Sequence, residues 1–462
     1  MFNIKLSDYI KVSFLLLFSF CMSQNNPDFI LGVNGVTCIC TDADFGDSGA
    51  LVINGVQKTF TKRSRSQLDN LINNNTSDPQ IAQTCTSGIQ DMSALFENRE
   101  DFNQDISSWD VSNVSNMSEM FFNAESFNQP LSNWDVSGAT NMLKMFAGAE
   151  SFNQVLDSWD VSGVTNMYAM FANAGAFNQI VDTWDISNVT NTEGSLSGIN
   201  SMFSNAESFN QSLNNWDVSN LTELKSVFAN SVSFNQPLNN WDVSNVTTLD
   251  LLFNDAISFN QPVDSWNVSN VISMSGTFKN AISFNQALNS WNVTNVSFMG
   301  GMFNGADLFN QPLNNWNVED VNNMDALFWN ATSFNKDISD WCVEHLAIEP
   351  ALFSLNSPLQ ESFKPVWGAT CIILSSPDNV EDFFAIYPNP VSDDLNFKWN
   401  APSSVKEIKI QIYDLNGHII FDKLFSSLPE RLNISNFNSG LYFVKINLED
   451  SYTIRKVIKT GK

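Results

Sequence analysis

Basic residues are scarce in this sequence and histidine is almost absent. Its 462 residues include 22 lysines and arginines and 2 histidines against 49 acidic residues, so the formal net charge is −27. A surface this acidic repels phosphate backbones and anionic lipid headgroups. The composition therefore argues against nucleic-acid binding and against binding at a membrane surface. Cationic partners, divalent ions and neutral glycans are compatible with it.

The excess of negative charge is concentrated in the middle of the chain. Residues 89–341 contain 28 acidic and 5 basic residues, a net charge of 5 − 28 = −23. Residues 385–462 contain 8 acidic and 10 basic residues, a net charge of +2. The chain is also too long for one ordinary domain. We therefore expect at least two separate units.

Cysteine is absent from the middle region. The six cysteines lie before or after it, at Cys21, Cys38, Cys40, Cys85, Cys342 and Cys371. In an exported chain such cysteines favour disulfides over metal sites. We expect Cys342 to pair with Cys371 and Cys85 to pair with Cys38 or Cys40, which leaves one thiol over. A Cys-X-Cys sequence with two histidines is a poor set of zinc ligands, so no metal site and no cofactor are predicted.

Long apolar runs are also absent, apart from residues 12–20. Two lysines precede this run and small residues follow it, which is typical of a secretory signal with cleavage after Ser23, so that Gln24 becomes the first mature residue. The run is too short to span a bilayer. Cys21 raises the alternative of a lipoprotein, although Phe20 is bulkier than the small residue that usually precedes a lipidated cysteine.

A 25-residue repeat is the dominant feature of the sequence. The motif Phe-Asn-Gln/Lys-X-apolar-X-X-Trp occurs ten times, beginning at Phe102, Phe127, Phe152, Phe177, Phe209, Phe234, Phe259, Phe284, Phe309 and Phe334. A second phenylalanine stands six residues before each motif. The spacing is 25 residues except for one step of 32, between Trp184 and Trp216, where seven extra residues lie within 191–198. These residues predict an exposed loop. We number the repeats so that repeat 1 ends at Trp109 and repeat 10 at Trp341.

The residues of one repeat predict a short helix followed by a short strand. In repeat 2, Met117, Met120, Phe121 and Ala124 have the i, i+3, i+4, i+7 spacing of one helix face, and 131–136 is short and apolar like a strand. Such a unit cannot bury its apolar face alone, so the repeats must stack. The predicted fold is α/β: an elongated, leucine-rich-repeat-like solenoid of about ten 25-residue coils with strands paired in parallel.

The invariant polar residues are predicted to bond turn backbone. The residue after each tryptophan is Asp at positions 110, 135, 160, 185, 217 and 242 and Asn at 267, 292 and 317. Since Asp and Asn share a carbonyl-type oxygen, the pattern favours an acceptor in an Asx turn. A calcium ladder on the aspartate half is the alternative.

Both ends of such a stack require caps. At the front, Asn54-Gly55 between apolar runs predicts a hairpin, and a short helix containing Leu68 follows near Ser66. The predicted organisation is a signal peptide at 1–23, an N-terminal cap at 24–88, the repeats at 89–341, a C-terminal cap at 342–372, a linker at 373–384 and a tail at 385–462. Five strands are expected in the tail, at 394–399, 408–414, 418–423, 441–447 and 453–459, within a small antiparallel β-sandwich of six or seven.

Two family resemblances follow from these motifs. The repeat Val-Ser-Asn-Val-X-Asn-Met-X-X-Met-Phe-X-X-Ala-X-X-Phe-Asn-Gln-X-Leu-X-X-Trp-Asp resembles the BspA-like leucine-rich-repeat surface proteins, which implies surface display and roles in adhesion. The tail resembles the C-terminal sorting domain of type IX secretion substrates. The matching segments are Tyr387–Pro390 with Val391 and Asp394, Ile412–Gly417, Gly440–Lys445 and a basic end at Arg455, Lys456 and Lys459, with His418 where Lys or Arg is common. This resemblance implies export by the type IX machinery to the cell surface or the medium, with membrane association only by anchoring after export.

No set of catalytic residues stands out. The two histidines, His345 and His418, lie in different predicted domains, so a Ser-His or Cys-His pair would have to span them. The leading interpretation is a binding or adhesion module for a surface protein or a glycan. A purely structural surface-layer component is the alternative, and a polysaccharide hydrolase using two of the many carboxylates is a third. A binding role predicts that exposed variable positions gather on one patch, whereas a structural role predicts an even surface.

Overall fold

The computed structural model describes residues 26–192, 196–369, 384–399, 408–415, 418–427, 429–448 and 451–460. The chain divides into two compact units, one of Met1–Trp341 with Glu349–Pro365 and one of Cys342–Ile348 with Val366–Lys462. The predicted signal peptide and its cleavage site between Ser23 and Gln24 lie outside the described residues, as does Cys371.

The first unit begins with short strands that cover the front of the repeats. Strand β1 (Ile30–Leu31) pairs antiparallel with β2 (Cys38–Ile39), β3 (Ser48–Ile53) pairs antiparallel with β4 (Val56–Lys62), and β5 (Thr84–Cys85) pairs parallel with β4. Asn54 and Gly55 have φ values of 53° and 79°. Positive φ at both central residues is the geometry of a two-residue hairpin turn, so the hairpin predicted from Asn54-Gly55 is confirmed.

Helix α1 (Arg65–Asn74) follows β4 and closes the exposed edge of repeat 1. The Ser64 hydroxyl accepts from the Gln67 backbone N–H while the Gln67 side chain accepts from the Ser64 N–H, a capping box that fixes the start of the helix. The Arg65 guanidinium donates to the carbonyl oxygens of Asp91 at 2.9 Å and Ser93 at 2.8 Å. In repeat 2 the equivalent carbonyls accept hydrogen bonds from N–H groups of repeat 1. In repeat 1 the Arg65 side chain donates to them instead.

One disulfide is formed in this segment, between Cys40 and Cys85. Cys38 is a free, buried thiol, as expected for the leftover cysteine. Burial first, and the nearby Asp110 carboxylate second, raise the pKa of Cys38 to about 12, so the thiol is un-ionised and unreactive at neutral pH. Cys342 is disulfide-bonded. Because Cys371 lies outside the described residues, the Cys342–Cys371 pairing stays a prediction.

The expected short helix of each repeat is a set of turns instead. In repeat 2 the N–H groups of Met117, Glu119, Phe121 and Asn123 donate to carbonyls of repeat 3 at 2.8–2.9 Å. The N–H groups between them close three-residue turns, such as Phe122 to the Glu119 carbonyl at 3.0 Å. No N–H is left for the i to i−4 bonds of a helix. The helix prediction was wrong, although the four predicted core residues Met117, Met120, Phe121 and Ala124 are all fully buried.

Parallel pairing is present but lies in a different place from the predicted strand. Isolated parallel bridges join equivalent residues of successive repeats, as in Asn116 to Asn141 and Asn141 to Asn166. Residues 131–136 form a turn and no strand, with the Trp134 N–H bonded to the Leu131 carbonyl at 3.0 Å. Neighbouring repeats are therefore held by the segment that had been expected to be helical.

Aromatic rings form the core between repeats. Equivalent phenylalanines stack on one another, with ring centroids 5.4 Å apart for Phe121 and Phe146 and 5.9 Å apart for Phe127 and Phe152. Within repeat 2 the rings of Phe121 and Phe127 are 4.0 Å apart. Because each ring contacts the repeats before and after it, the core is continuous along the stack.

The segment 349–365 extends the stack beyond repeat 10. The N–H groups of Ala326, Phe328 and Asn330 donate to the carbonyls of Ala351, Phe353 and Leu355 at 2.7–2.9 Å, as they would to another repeat. The ring of Phe353 meets Phe328 edge-on at 5.5 Å instead of stacking flat. A 3-10 turn at Glu361–Phe363 follows. This part of the predicted C-terminal cap is a degenerate eleventh repeat.

The second unit contains two antiparallel sheets. Strands β6 (Phe384–Tyr387), β7 (Asp394–Trp399) and β10 (Arg431–Asn433) form one sheet, in the order β10-β7-β6. Strands β8 (Ile408–Tyr413), β9 (Ile419–Phe425), β11 (Gly440–Leu448) and β12 (Ser451–Lys459) form the other, in the order β12-β11-β8-β9. A single buried cluster, which includes Leu395, Ile410 and Val444, joins them. Each of the five strands expected in the tail is present.

Candidate functional site: the variable face of the repeats

The recurring asparagine and glutamine side chains form hydrogen bonds between successive repeats. The Asn103 side-chain oxygen accepts from the Asn128 backbone N–H at 3.0 Å and from the Gln129 amide at 2.9 Å. Asn128 does the same for Asn153 and Gln154. As predicted, these side chains accept hydrogen bonds from backbone N–H groups that a turn leaves unpaired. They therefore have a structural role.

The core tryptophans likewise donate to the preceding repeat or, for Trp109, to the Ile81 carbonyl of the N-terminal segment. The indole N–H of Trp159 donates to the Leu131 carbonyl at 3.0 Å, and the equivalent bond recurs for every tryptophan of the motif. These residues are almost fully buried. They hold the repeats together and are not available to a ligand.

The acidic residues after each tryptophan accept hydrogen bonds within their own turns. The Asp160 carboxylate accepts from the Ser162 hydroxyl at 2.6 Å and backbone N–H at 3.0 Å, and these two bonds lower the pKa of Asp160. Where Asn replaces Asp, Asn267 accepts from the Ser269 N–H at 3.2 Å. This geometry is the Asx turn predicted from the Asp/Asn alternation. Over the described ranges, no three His, Cys, Asp or Glu side chains are grouped so as to hold a metal ion.

Neighbouring positions of the turn segment form a common surface along the repeats, which we call the variable face. It consists of four positions per repeat, held in repeat 2 by Ser118, Glu119, Phe122 and Asn123 and in the other repeats by the residues aligned with them. In repeats 1–10, the fourth position is always Asn, Asp or Gly. It has positive φ, 54° at Asn123 and 73° at Gly148, and these residue types tolerate that conformation best. The other three positions vary freely.

The variable face is nearly neutral in an acidic domain. Its forty positions in repeats 1–10 carry the bases Lys144, Lys225 and Lys279 and the acids Glu97, Glu119, Asp250, Asp255 and Asp325, a net charge of 3 − 5 = −2. The whole repeat region carries −23. Most of the negative charge therefore lies on other sides of the repeats, and a partner of this face need not be cationic.

Apolar side chains gather on the variable face of repeats 2–4. Phe122 and Tyr168 are half-buried against the small side chains of Ala147, Ala169 and Ala172. The Lys144 ammonium lies 5.2 Å from the centre of the Phe122 ring and 3.2 Å from the Glu119 carboxylate. Contact with the ring and with a carboxylate holds the lysine in place.

A surface depression lies on the same face in repeats 7–9. It encloses about 330 Å³ and is lined by Asp250, Leu251, Ser275, Gly276, Lys279, Gly300, Gly301 and Asn304. Three of its lining residues are glycines, so their missing side chains create the space. In repeat 7 the Leu251 side chain, 40% exposed, forms one wall.

The seven-residue insertion of repeat 5 closes on itself beside the stack. The Ser197 hydroxyl accepts from the Thr192 N–H at 2.7 Å, and the Asn191 side chain accepts from the Thr222 and Glu223 N–H groups at 2.9 and 3.1 Å. Beyond the insertion the stacking register resumes, because the Met167 N–H reaches the Gly198 carbonyl at 3.0 Å. Leu196 is 51% exposed. Residues 193–195 lie outside the described residues.

The two histidines lie outside the repeats. The His418 ring nitrogen is 3.3 Å from the Asp414 carboxylate at an exposed turn of the second unit. His345 lies in the Cys342–Ile348 segment. Among the described residues, no helix has the length and apolar character needed to cross a bilayer.

Comparison with known families agrees with the repeat organisation. Segments 66–184, 131–199, 178–281 and 261–365 match the family described as "Mycoplasma protein of unknown function, DUF285". Together they span residues 66–365, which is 300 of the 462 residues. The chain belongs to the DUF285 family. Residues 385–460 match the secretion system C-terminal sorting domain. This DUF285 protein is therefore a repeat protein exported by type IX secretion to the cell surface or the medium. A comparison with curated proteins finds no match.

The variable face was not predicted from the sequence, although a signal for it exists. When the repeats are aligned in register, the recurring Asn, Asp or Gly two residues after the first phenylalanine marks one of the two positive-φ positions of each repeat. The variable positions flank that residue. If the same segment is interpreted as a helix, the variable positions appear to belong to an ordinary solvent-exposed helix face. Their position on one common surface is then not recognised.

Proposed function

We propose that this DUF285 protein is a cell-surface binding module whose variable face contacts an external protein or glycan, and that its repeats form an elongated solenoid presenting that face. The observation that carries the proposal is a nearly neutral surface with half-buried aromatic side chains, on repeats whose recurring polar residues are occupied by internal bonds. The resemblance of the repeats to BspA-like surface proteins supports an adhesive role.

A purely structural surface component would give no reason for this distribution. Such a protein needs the aromatic core and the asparagine bonds, but it has no need of large exposed rings on one surface of the repeats. Phe122, Tyr168 and Trp329 instead place large aromatic rings on one face, where a ligand would bury them. The proposal assigns no catalytic role, since the most regular carboxylates, such as Asp160, are already bonded within their turns.

The proposal is tested with the purified exported protein on arrays of glycans and of surface proteins. A face variant carries alanine in place of Phe122, Tyr168, Leu251 and Trp329. A control variant carries alanine at four exposed apolar positions elsewhere, Val155, Ile180, Ile257 and Leu308, which are 41–54% exposed. We expect the unchanged protein and the control to bind the same ligands and the face variant to lose them. Equal binding by both variants would reject the face.

A further inference from the structure

One stretch of the variable face contains polar groups for which the described part of the chain provides no hydrogen-bond partner. In repeats 7–10, the position of Phe122 is held in turn by Asn254, Lys279, Asn304 and Trp329. These four residues form one row, with one side chain from each successive repeat. The inference drawn from this row rests on the proposed function and narrows it to one region and one class of ligand.

Two polar atoms of this row are buried without a partner. Among the described residues, the Asn254 side-chain oxygen and the Trp329 indole nitrogen have no hydrogen-bond partner. Every tryptophan of the repeat motif, by contrast, donates its indole N–H to a carbonyl, as Trp159 does to Leu131. Buried polar groups are nearly always paired in folded proteins. Within the described part of the repeats only this row contains such unpaired groups, which distinguishes it from the rest of the face.

The glycine-lined depression lies beside this row. Lys279 and Asn304 belong both to the row and to the lining of the depression, together with Gly276, Gly300 and Gly301. Successive repeats are separated by roughly 4.8 Å, the spacing of paired strands, which is close to the length of one unit in an extended sugar chain. A polymer lying along the stack would thus meet an equivalent position at each unit.

The charge around the row disfavours a polyanion. Asp250, Asp255 and Asp325 accompany Lys279 on the variable face of these repeats, a net charge of 1 − 3 = −2. The rest of the repeat region is more acidic still. A ligand of uncharged hydroxyl groups avoids this repulsion and supplies both donors and acceptors. The indole ring of Trp329 offers an apolar surface to the C–H face of a sugar.

The geometry points to a binding site for a neutral polysaccharide on the variable face of repeats 7–10. Lys279 and Asn304 bond its hydroxyl groups, the glycine-lined depression admits a sugar ring, and Trp329 packs against a neighbouring ring. The site requires no metal and no second chain.

Calorimetric titration of the exported protein with neutral hexasaccharides (cello-, xylo-, manno- and laminari-) and with polygalacturonate tests this site. Gly301→Leu fills the depression, and the fold accepts it because Leu251 occupies the equivalent position at φ 56° while a Cβ at Gly301 meets no atom nearer than 3.8 Å. Trp329→Ala removes the ring. Gly175→Leu, where an added Cβ meets no atom within 4 Å, and Leu308→Ala, at a side chain that is 54% exposed, are control changes outside the variable face.

We expect at least one neutral hexasaccharide to bind and both site variants to weaken it about tenfold or more. Both control variants should bind as the unchanged protein does. Binding that survives Gly301→Leu and Trp329→Ala, with thermal midpoints showing folded proteins, would overturn the site. Tighter binding of polygalacturonate would overturn the neutral class.

The outcome also separates this inference from the proposed function. If no oligosaccharide binds but array proteins are bound and the face variant loses them, the polysaccharide site is wrong and the binding module stands. If neither the oligosaccharide titrations nor the arrays show binding, the polysaccharide site and the binding module are both rejected.

Discussion

At the scale of the residue, two tryptophans differ in role because they occupy different positions of the repeat. The indole N–H of Trp159 is paired inside the stack, at 3.0 Å from the Leu131 carbonyl. The indole N–H of Trp329 has no partner among the described residues and lies on the variable face. The first indole N–H stabilises the stack, and the second one contributes no hydrogen bond to it.

Replacing each of these tryptophans by phenylalanine tests this division. Trp159→Phe removes a buried hydrogen bond and part of a close-packed ring, so we expect it to lower the free energy of unfolding by about 1–2 kcal/mol. Trp329→Phe removes an N–H that bonds nothing, so its effect should stay under about 0.5 kcal/mol. Urea denaturation followed by circular dichroism measures both. Equal losses would show that the two indoles have the same structural role.

The aspartate after each tryptophan gives a second residue-scale prediction. Hydrogen bonds from Ser162 lower the pKa of Asp160, so the stabilisation by this carboxylate is present above its ordinary pKa and is lost as the pH falls through its folded-state pKa. Asp160→Asn keeps the accepting oxygen and should be nearly neutral at pH 7, without this loss in acid. Asp160→Ala removes the acceptor and should cost about 0.5–1 kcal/mol.

Thermal denaturation at pH 7 and pH 3 measures these differences. Addition of Ca²⁺ provides the control for the alternative of a calcium ladder. If Ca²⁺ raised the melting temperature of the unchanged protein but not of Asp160→Asn, the carboxylate charge would matter and the Asx-turn explanation would be insufficient.

At the scale of the element, the local sequence was sufficient to predict those elements whose structure is determined by nearby residues. Asn54-Gly55 predicted its hairpin because the turn conformation belongs to these two residues. In the tail, alternating apolar residues such as Ile408, Ile410 and Ile412 face one core, and period-two alternation is itself the signature of a half-buried strand. The sequence analysis expected six or seven strands but did not locate the short strands β6 and β10, because three or four residues carry little periodicity.

The turn segment of each repeat could not be predicted in the same way. The spacing of Met117, Met120, Phe121 and Ala124 correctly identified the buried side chains. It could not identify the backbone, because the partners of the Met117 and Glu119 N–H groups lie in the next repeat, at Asn141 and Leu143. Bonds to a residue 24 positions away have no local signature. The variable face was missed for the same reason, since its orientation follows from those turns.

The insertion of repeat 5 gives an element-scale prediction. Its seven extra residues lie within 191–198, and the register on both sides of it is regular. Shortening repeat 5 to 25 residues should change the thermal midpoint only slightly, because the insertion adds no ring to the aromatic core. Differential scanning calorimetry measures this.

Binding by the shortened protein then reports on function. The inferred polysaccharide site lies in repeats 7–10, so binding of the neutral hexasaccharide should be unchanged. Loss of that binding on shortening would place the ligand at the insertion and not at the glycine-lined depression.

At the scale of the whole molecule, the proposed binding face and the sorting domain belong to different units. The repeats have their aromatic core, and the sheets of the tail have a separate one that includes Leu395, Ile410 and Val444. The secretion system sorting domain occupies residues 385–460, while the variable face lies wholly within the repeats. Either unit should therefore keep its fold when the other is removed.

Export of a protein lacking residues 385–462 tests the account most directly. Externally added protease is applied to intact cells producing either the full chain or the shortened one, and the fraction of repeat domain digested is measured. We predict that the full chain is digested or released to the medium, while the shortened chain is folded, as its cooperative melting would show, and retained inside the outer membrane. Display of the shortened chain at the surface to the same extent as the full chain would contradict the account.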